Sequence, residues 1–470
     1  MATGRYDLAV IGGGSAGFAA AIEGARRGAR VLLVEEGTIG GTCVNVGCVP
    51  SKTLLAAAEV RHTAQGGRFR GLATSSGEVD LAAVVAQKDE LVAELRKAKY
   101  LDVLDAYPNI ALRRGHATVR GAGRLSVDGD ELTVRAVVLA TGARPWAPPI
   151  DGLAQAGYWT STEALSPPRR PQHLLVLGGS AVGLELGQMY ARMGSQVTIV
   201  EALDRLAPGE DPSVGPALAE YLAEEGITSH VGVQVRRVSR TDKGYVVDAQ
   251  EAGGGTLTLT GDALLVATGR RAHTQGLGLE EAGIERTGRG AVKVNRRLET
   301  TVPGVYAAGD VTGEAMFVYV AAHQGTVAAQ NALSEGEGRE EDLSAVPRVT
   351  FTDPSIAAVG LTEAEARAQG LDVRTSVLPL GYVPRALANR DARGFIKLVA
   401  EVGTDRIVGV HILAPSAGEM ITEGTLAVRY ELTLQDLRDT LHPYLTFGEG
   451  LKLAALSFDQ DVTKLSCCAG

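Results

Sequence analysis

Two strand–turn–helix units, each built around closely spaced glycines, constrain the fold of this 470-residue chain more than any other feature. In the first, the apolar segment Tyr6–Ile11 runs into Gly12, Gly14 and Gly17 and then into an alanine-rich helix. Glycines at this spacing let a backbone turn approach the pyrophosphate of a dinucleotide, which the helix N–H groups bind. Glu35 ends the next predicted strand, where an acidic side chain hydrogen-bonds the ribose of such a cofactor.

The second unit repeats this arrangement with one change, because Ser180 stands where the middle glycine would be. Its outer glycines are Gly178 and Gly183, and Glu201 ends the following strand. An acidic residue there favours a free ribose hydroxyl over a 2′-phosphate, so we expect NADH more than NADPH, although Arg205 nearby keeps NADPH open. The period between the units is too long for a solenoid, and the repetition predicts duplicated dinucleotide-binding domains.

Composition and charge place the chain among globular enzymes. Hydrophobic residues make up 45% and charged residues 21%, and the net charge is −9, with no basic cluster of the kind that binds nucleic acid. No apolar run reaches the roughly 18 residues that a membrane helix needs. The short start before the first strand indicates no signal peptide, so we expect a cytoplasmic protein without membrane or nucleic-acid partners.

The four cysteines form two close pairs, Cys43 with Cys48 and Cys467 with Cys468. So few cysteines are not typical of a secreted disulfide framework. In a reducing compartment, close pairs of cysteines indicate redox or metal chemistry. A structural zinc site is disfavoured, because such sites combine pairs with a short spacer, whereas Cys467 and Cys468 are adjacent.

The segment from residue 41 to residue 52, Gly-Thr-Cys-Val-Asn-Val-Gly-Cys-Val-Pro-Ser-Lys, resembles the redox-disulfide motif of the pyridine nucleotide-disulfide oxidoreductases. Segments 140–142 and 267–270 resemble the strand ends that close the two nucleotide domains of that family, and segment 301–310 resembles its second FAD motif. The resemblance covers nearly the whole chain. The further cofactor-binding residues that it implies are Thr42, Thr141, Gly142, Gly269 and Asp310, the last of which would hold the ribityl chain.

The resemblance implies an α/β fold with two Rossmann-like dinucleotide-binding domains and a C-terminal α+β dimerisation domain. The predicted linkers are the proline-rich stretches 145–149 and 167–171 and the charged, glycine-rich stretch 334–342. In the last domain, the pattern predicts strands at 349–352, 395–400 and 407–412, and helices at 416–430 and 447–457. The expected domains are FAD-binding for 1–150 and 271–340, NAD(P)-binding for 151–270, and dimerisation, with the Cys-Cys tail, for 341–470.

Cys43 and Cys48 are the expected redox pair. Flavin passes two electrons from NAD(P)H to a disulfide, and a thiolate must be stabilised beside it. A position near a helix N-terminus would lower the pKa of Cys48. The resemblance implies that Cys48 is the thiol nearest the flavin, that Cys43 is the interchange thiol, and that Lys52 lies near flavin N5 and pairs with Glu185.

The C-terminal segment argues against a disulfide substrate. Disulfide reductases of this family use a histidine, five residues before a glutamate, that protonates and deprotonates the substrate thiol. Counting back from Glu449 gives Tyr444, and His442 is misplaced for that role. A phenol with a pKa of about 10 is a poor acid–base group at neutral pH compared with imidazole. A substrate that needs no proton relay therefore fits better.

Hg(II) is such a substrate, because it is a soft cation and thiolates select soft metals. Cys467 and Cys468 lie beside the chain end, where they would take up Hg(II), and the resemblance implies that they pass it to Cys43 and Cys48 of the other subunit. These four cysteines are therefore the expected Hg(II) ligands. The resemblance implies a homodimer whose subunits share each active site.

The resemblance also implies active-site roles for Tyr100 and Tyr444, which match two tyrosines of the mercury-reducing members of the family. Taken alone, Tyr100 would be a packing residue on an amphipathic helix. Many of those members carry an N-terminal metal-binding domain with its own cysteine pair. This chain opens on its first nucleotide strand, so we expect Hg(II) to arrive from small thiols or from another carrier.

Two alternatives remain open. A disulfide reductase of the same family, of the thioredoxin reductase or dihydrolipoamide dehydrogenase type, would explain the redox pair, but Tyr444 argues against it. A non-enzymatic metal-binding flavoprotein would need no hydride supply, so the second nucleotide unit and the pair Lys52 and Glu185 argue against that class. The remaining histidines, His116 and His323 among them, are expected to be structural.

Overall fold

The computed structural model describes residues 6–464, and both glycine-containing units fold there as parallel β–α–β units. A π-helical turn, Lys97–Leu101, joins the fourth and fifth helices. The elements of this first part are the strands β1 (Tyr6–Ile11), β2 (Val31–Glu35), β3 (Ile110–Arg114), β4 (Ala117–Val119), β5 (Arg124–Val127), β6 (Asp130–Leu139) and β7 (Ala143–Pro145), and the helices α1 (Ser15–Arg26), α2 (Gly41–Val46), α3 (Cys48–Gln65), α4 (Leu81–Arg96) and α5 (Asp102–Asp105).

The second nucleotide unit has a parallel sheet with strand order β10-β9-β8-β14 and a separate antiparallel sheet, β11-β12-β13. Residues of β8, β9 and β14 are almost all buried, as expected for parallel strands covered on both faces. Its elements are α6 (Leu153–Ala156), α7 (Ser161–Ala164), β8 (His173–Leu177), α8 (Ala181–Arg192), β9 (Gln196–Val200), α9 (Val214–Glu224), β10 (Thr228–His230), β11 (Val233–Thr241), β12 (Gly244–Glu251), β13 (Thr256–Gly261), β14 (Ala263–Val266) and β15 (Arg270–Ala272).

The chain then returns to the first sheet. The following elements are α10 (Leu279–Ala282), β16 (Val305–Ala307), a 3-10 turn (Gly309–Thr312) and α11 (Val318–Leu333). Strand β16 pairs in parallel with β6, in a sheet of order β3-β2-β1-β6-β5-β4. Helix α11 packs closely on α1, because a Cβ at Gly325 would lie 2.1 Å from the carbonyl oxygen of Ala16. Two distant parts of the chain therefore build one sheet.

The last part of the chain folds as an antiparallel sheet of order β17-β18-β21-β20-β19, with α14 packed on β18 and β21 and α16 packed on β19 and β20. The α+β architecture predicted for this region is confirmed. Its elements are β17 (Arg348–Thr350), β18 (Ser355–Gly360), α12 (Glu363–Ala368), β19 (Val373–Pro379), α13 (Pro384–Ala388), β20 (Phe395–Glu401), β21 (Ile407–Ala414), α14 (Ala417–Arg429), α15 (Leu434–Asp439) and α16 (Glu449–Leu456), with 3-10 turns at Leu380–Tyr382 and Val462–Lys464.

One hydrophobic cluster joins the helix that begins at Cys48 to the rest of the molecule. Leu54 and Ala58 of α3 are buried against α8, whose Leu184 belongs to the same cluster, and Ile356 of β18 completes it. Burying such side chains contributes roughly 1.5–3 kcal/mol each for residues of leucine size. Helix α3 is thereby fixed to both the second nucleotide domain and the last domain.

Candidate active site

The two glycine turns have the same geometry. Gly12 has a φ of +108° and a Cβ there would lie 2.3 Å from the carbonyl oxygen of Ala140, while Gly178 has a φ of +110° and a Cβ would lie 2.5 Å from the carbonyl oxygen of Ala267. A side chain at either position would collide with the neighbouring strand end. The repeat seen in the sequence is therefore a repeat in three dimensions.

The third glycine of each turn has a packing role. A Cβ at Gly17 would lie 1.7 Å from the carbonyl oxygen of Gly12, and one at Gly183 would lie 1.9 Å from that of Gly178. Only glycine lets each helix start this close to its turn. Both were expected to bind cofactor; neither lines its cavity, and each lets its helix begin beside the turn that does.

The two strand-end glutamates also match. Glu35 accepts hydrogen bonds from the backbone N–H of Gly13 at 2.6 Å and of Gly37 at 2.6 Å. Glu201 accepts from the N–H of Gly179 at 2.7 Å and of Leu203 at 2.8 Å. Each carboxylate therefore lies beside its glycine turn, in the wall of a cavity.

The first cavity, of about 370 Å³, is lined by both the cysteine pair and the first glycine turn. A cavity that is lined by a glycine turn and also by a dithiol fits a dinucleotide whose reactive ring lies beside sulfur. The residues expected from the sequence that line it are Gly12, Gly14, Glu35, Thr42, Cys43, Cys48, Lys52, Thr141, Gly142, Glu185 and Asp310.

The second cavity, of about 610 Å³, lies on the second nucleotide domain. Gly178, Glu201 and Gly269 are in its wall, as the sequence led us to expect for a nicotinamide nucleotide. Ser161, Val182 and Arg270 line both cavities, so the two spaces share a boundary. Molecules bound in the two cavities would meet there.

Cys43 and Cys48 lie on consecutive helices and occur as thiols. Cys43 is inside α2, whereas Cys48 is the first residue of α3. A hydrogen bond from the Cys43 thiol and the positive charge of Lys52 lower the pKa of Cys48 to about 6, against the effect of burial. The same pairing, with burial, raises the pKa of Cys43. At neutral pH the pair therefore carries its negative charge on Cys48.

Lys52 lies one helical turn after Cys48 and forms an ion pair with Glu185 on α8. Lys52 Nζ is 2.6 Å from Glu185 Oε2, and the Glu185 side chain is only 7% exposed. The pairing expected from the sequence is therefore present. It joins the helix of the redox pair to α8, the helix that follows the second glycine turn.

Tyr100 lies beside the cysteines rather than in the cavity wall. Its ring packs edge-on against Phe18, with ring centroids 4.7 Å apart, and its hydroxyl hydrogen-bonds the side chain of Ser15. Burial and the nearby thiols of Cys43 and Cys48 raise the pKa of Tyr100. The family resemblance implied an active-site role for Tyr100, and the structure shows the ring packed on Phe18 and close to the dithiol.

Tyr444 and His442 occupy different environments in the segment before α16. Tyr444 is 47% exposed. His442 is fixed within its own domain, because Nε2 lies 2.7 Å from Glu423 Oε1 and Nδ1 lies 3.0 Å from the carbonyl oxygen of Thr440. Glu449 has a buried carboxylate oxygen, Oε2, without a hydrogen-bond partner among the described residues. The structure thus gives His442 a structural position. Cys467 and Cys468, the predicted entry pair, lie outside the described residues.

Three cavity residues were missed from the sequence. His116, expected to be structural, lines the first cavity together with His273. Its Nδ1 lies 2.7 Å from Glu36 Oε2 and its Nε2 lies 2.9 Å from the carbonyl oxygen of Gly276, and these contacts raise the pKa of His116. Arg270 is 4.0 Å from Asp310 at the boundary between the cavities. Arg270 directly follows Gly269 of a recognised motif, so the signal was present; nothing near the histidines marked them.

The chain belongs to the pyridine nucleotide-disulphide oxidoreductase family. The family model matches residues 6–325, and the model of its dimerisation domain matches residues 346–455. FAD and a nicotinamide nucleotide are the cofactors of this family, and the glycine cradles and the shared cavity boundary fit them. The dimerisation domain indicates a homodimer.

Several relatives named mercuric reductase are similar to nearly the whole chain. The protein from Streptomyces lividans is 48% identical over 99% of this chain and 98% of its own length. The one from Staphylococcus aureus is 47% identical over 99% of this chain and 85% of its length. The one from Shigella flexneri is 45% identical over 100% of this chain and 83% of its length.

Solved structures give the same fold. The HOCl-induced flavoprotein disulfide reductase RclA from Escherichia coli has a TM-score of 0.85 and is 33% identical, covering 96% of this chain and 99% of that chain. Its Cu(II) complex has a TM-score of 0.84 and is likewise 33% identical, over 95% of this chain and 98% of that chain. Within residues 6–464, no helix combines the length and the apolar character needed to cross a membrane.

Proposed function

We propose that this chain is a mercury(II) reductase, in which NAD(P)H supplies two electrons through FAD to Hg(II) at Cys43 and Cys48. The observation that carries the proposal is identity of 45–48% across almost the full chain to relatives that bear that name. We further propose that residues 1–150 and 271–340 form the FAD domain, 151–270 the nicotinamide domain and 341–470 the dimerisation domain. The pairing of β16 with β6 supports this division.

The site residues support the chemistry. FAD, when bound, accepts a hydride from the nicotinamide and passes two electrons onward. Cys48, with its pKa lowered to about 6, provides one thiolate ligand for Hg(II), and Cys43 provides the second once its proton leaves. Two electrons then break both Hg–S bonds, so Hg(0) departs and two thiolates remain. In sum, NAD(P)H and Hg(II) give NAD(P)⁺, one proton and Hg(0).

Lys52 and Tyr100 would act beside the bound metal ion. The Lys52 ammonium stabilises the negative charge of Cys48, and Glu185 fixes that ammonium. Tyr100, near both sulfurs, offers a hydroxyl at the edge of the dithiol. In the proposed dimer, Tyr444, Cys467 and Cys468 of one subunit serve the Cys43–Cys48 pair of the other.

A disulfide reductase is the second candidate, because RclA bears that description at 33% identity over nearly the whole chain. Tyr444 stands where such a role needs an imidazole, and His442 is held by Glu423 and Thr440. These two observations favour Hg(II) over a disulfide as the substrate.

We propose a preference for NADH over NADPH. The two oxygens of Glu201 accept hydrogen bonds from the second glycine turn and from the loop that follows β9. The negative carboxylate would repel the 2′-phosphate of NADPH at this position. The guanidinium of Arg205 is already hydrogen-bonded, to Asp204 at 3.1 Å and to the carbonyl oxygen of Pro208 at 3.0 Å.

The experiment that tests the function compares substrates for NAD(P)H oxidation by the FAD-loaded dimer. HgCl2 with excess small thiol is assayed beside lipoamide, glutathione disulfide and thioredoxin. We expect oxidation that depends on Hg(II) and little turnover with the disulfides. Rapid turnover of a disulfide without any activity on Hg(II) would instead establish the second candidate.

A further inference from the structure

A segment of the last domain, Phe351–Asp353, contacts the redox site from outside both nucleotide domains. Phe351 is the first residue after β17, and its ring lies beside Lys52, with Nζ 4.5 Å from the ring centroid. A cation over an aromatic face at this distance is attracted to the ring. The Lys52 ammonium thus has a second contact besides Glu185.

The backbone of Phe351 acts on the same ion pair. Its N–H donates to Glu185 Oε1 at 2.9 Å, while Lys52 Nζ lies 2.6 Å from Oε2 of the same carboxylate. Both oxygens of this buried carboxylate are therefore occupied, one by each neighbouring domain. Phe351 contacts the cation with its ring and the anion with its amide.

The neighbouring contacts fix the segment on α8. Gln188 donates to the carbonyl oxygen of Asp353 at 2.8 Å and accepts from its N–H at 2.8 Å, and Arg192 Nη2 lies 2.6 Å from Asp353 Oδ2. Glu185, Gln188 and Arg192 share one face of the helix, at spacings of three and four. Three residues on one face of α8 therefore bind the segment that carries Phe351.

We propose that Phe351 is a positioning residue of the redox site, which directs the Lys52 ammonium into the cofactor cavity. Lys52 and Cys48 line that cavity, whereas Phe351 is absent from its wall and acts through Lys52. Without the ring, the lysine side chain gains other rotamers, since Glu185 alone still leaves it free to swing about one carboxylate oxygen. The last domain would thus set the charge that the flavin experiences, in addition to joining subunits.

The test measures the midpoint potential and visible spectrum of bound FAD in the full-length protein. A nearby cation favours the reduced, more negative flavin, so Phe351→Leu should lower the midpoint potential of FAD. Phe351→Tyr keeps the aromatic ring and should leave the potential at the native value. Phe351→Met is the second truncation, in case leucine weakens FAD retention; methionine fills space without an aromatic face. The ring is 46% exposed, so its loss leaves the core intact.

The matched control is Phe458→Leu, which removes a ring lying 5.0 Å from the Arg374 guanidinium in the same domain. It should leave the potential unchanged. In a Lys52→Met background, Phe351→Leu should add no further shift, because the effect passes through the ammonium. An unchanged potential in Phe351→Leu and Phe351→Met, or an additive shift in the double variant, would overturn the proposal. The potential and the spectrum are measured without Hg(II), so their outcome is independent of whether Hg(II) is the substrate.

Discussion

At the scale of single residues, the two thiols of the redox pair differ although they lie only five positions apart. Cys48 begins a helix and accepts a hydrogen bond from Cys43 near the Lys52 charge, whereas Cys43 is the donor of that bond; burial acts on both thiols. The motif in the sequence identified the pair. It assigned the flavin-side thiol by resemblance alone, and the asymmetry in pKa depends on the hydrogen bond from Cys43 and on the position of the Lys52 charge, neither of which the spacing of the motif shows.

This asymmetry predicts the pH dependence of alkylation. In a Cys467→Ala, Cys468→Ala background reduced by excess NADH, iodoacetamide should modify Cys48 with a midpoint at about pH 6. The lowered pKa means that the thiolate is populated at neutral pH and is lost as the pH falls through that value. Mass spectrometry of the alkylated peptides gives the rate at each site. A midpoint at about pH 9, the usual region for a thiol, would contradict the proposed electrostatics.

At the scale of elements, the sequence predicted the β–α–β units well, because continuous apolar strands and glycine spacing are local signals. The return of β16 to the first sheet followed only from the resemblance. The structural role of His442 could not be predicted locally, because its partner Glu423 lies on α14, 19 residues earlier in the chain. Likewise, His116 reaches the cavity because Glu36 and the carbonyl oxygen of Gly276 hold it from both sides.

His442 should contribute to stability. Its side chain is 5% exposed and its ring nitrogens face Glu423 and the carbonyl oxygen of Thr440. His442→Ala should therefore lower the free energy of unfolding by about 1–3 kcal/mol, measured by denaturant titration. Gln435→Ala, at an exposed pair with Asp439, is the control and should change it by less than about 0.5 kcal/mol. An unchanged free energy of unfolding in His442→Ala would mean that the hydrogen bonds to Glu423 and Thr440 add no net stability.

The loop after β9 should determine the nicotinamide preference. Replacing Glu201 by alanine and Leu203 by arginine removes a negative charge and adds a positive one in the wall of the second cavity. We expect kcat/KM for NADPH to rise at least about tenfold relative to NADH, which corresponds to about 1.4 kcal/mol. Steady-state kinetics with both nucleotides measures the ratio. A wild-type enzyme that already prefers NADPH would show that Glu201 does not exclude the 2′-phosphate.

At the scale of the whole molecule, the redox site is assembled from three folded parts. Helix α3 supplies Cys48 and Lys52, α8 supplies Glu185, and the last domain supplies Phe351. The sequence predicted the first two through family motifs. It gave no sign of Phe351, because this contact arises from docking of separate domains and has no spacing that a motif could capture. The choice of substrate would likewise depend on assembly, since Tyr444 and the cysteine tail would act on the redox pair of the other subunit in the proposed dimer.

The most direct measurement of the central claim is the amount of Hg(0) released per NADH oxidised. The FAD-loaded protein is supplied with Hg(II) and excess thiol without oxygen, and mercury vapour is collected while absorbance reports NADH. Two electrons reduce one Hg(II), so the account predicts one Hg(0) for each NADH and no vapour from the Cys43→Ser, Cys48→Ser variant. Oxidation of NADH by the native protein with no release of Hg(0) would contradict it.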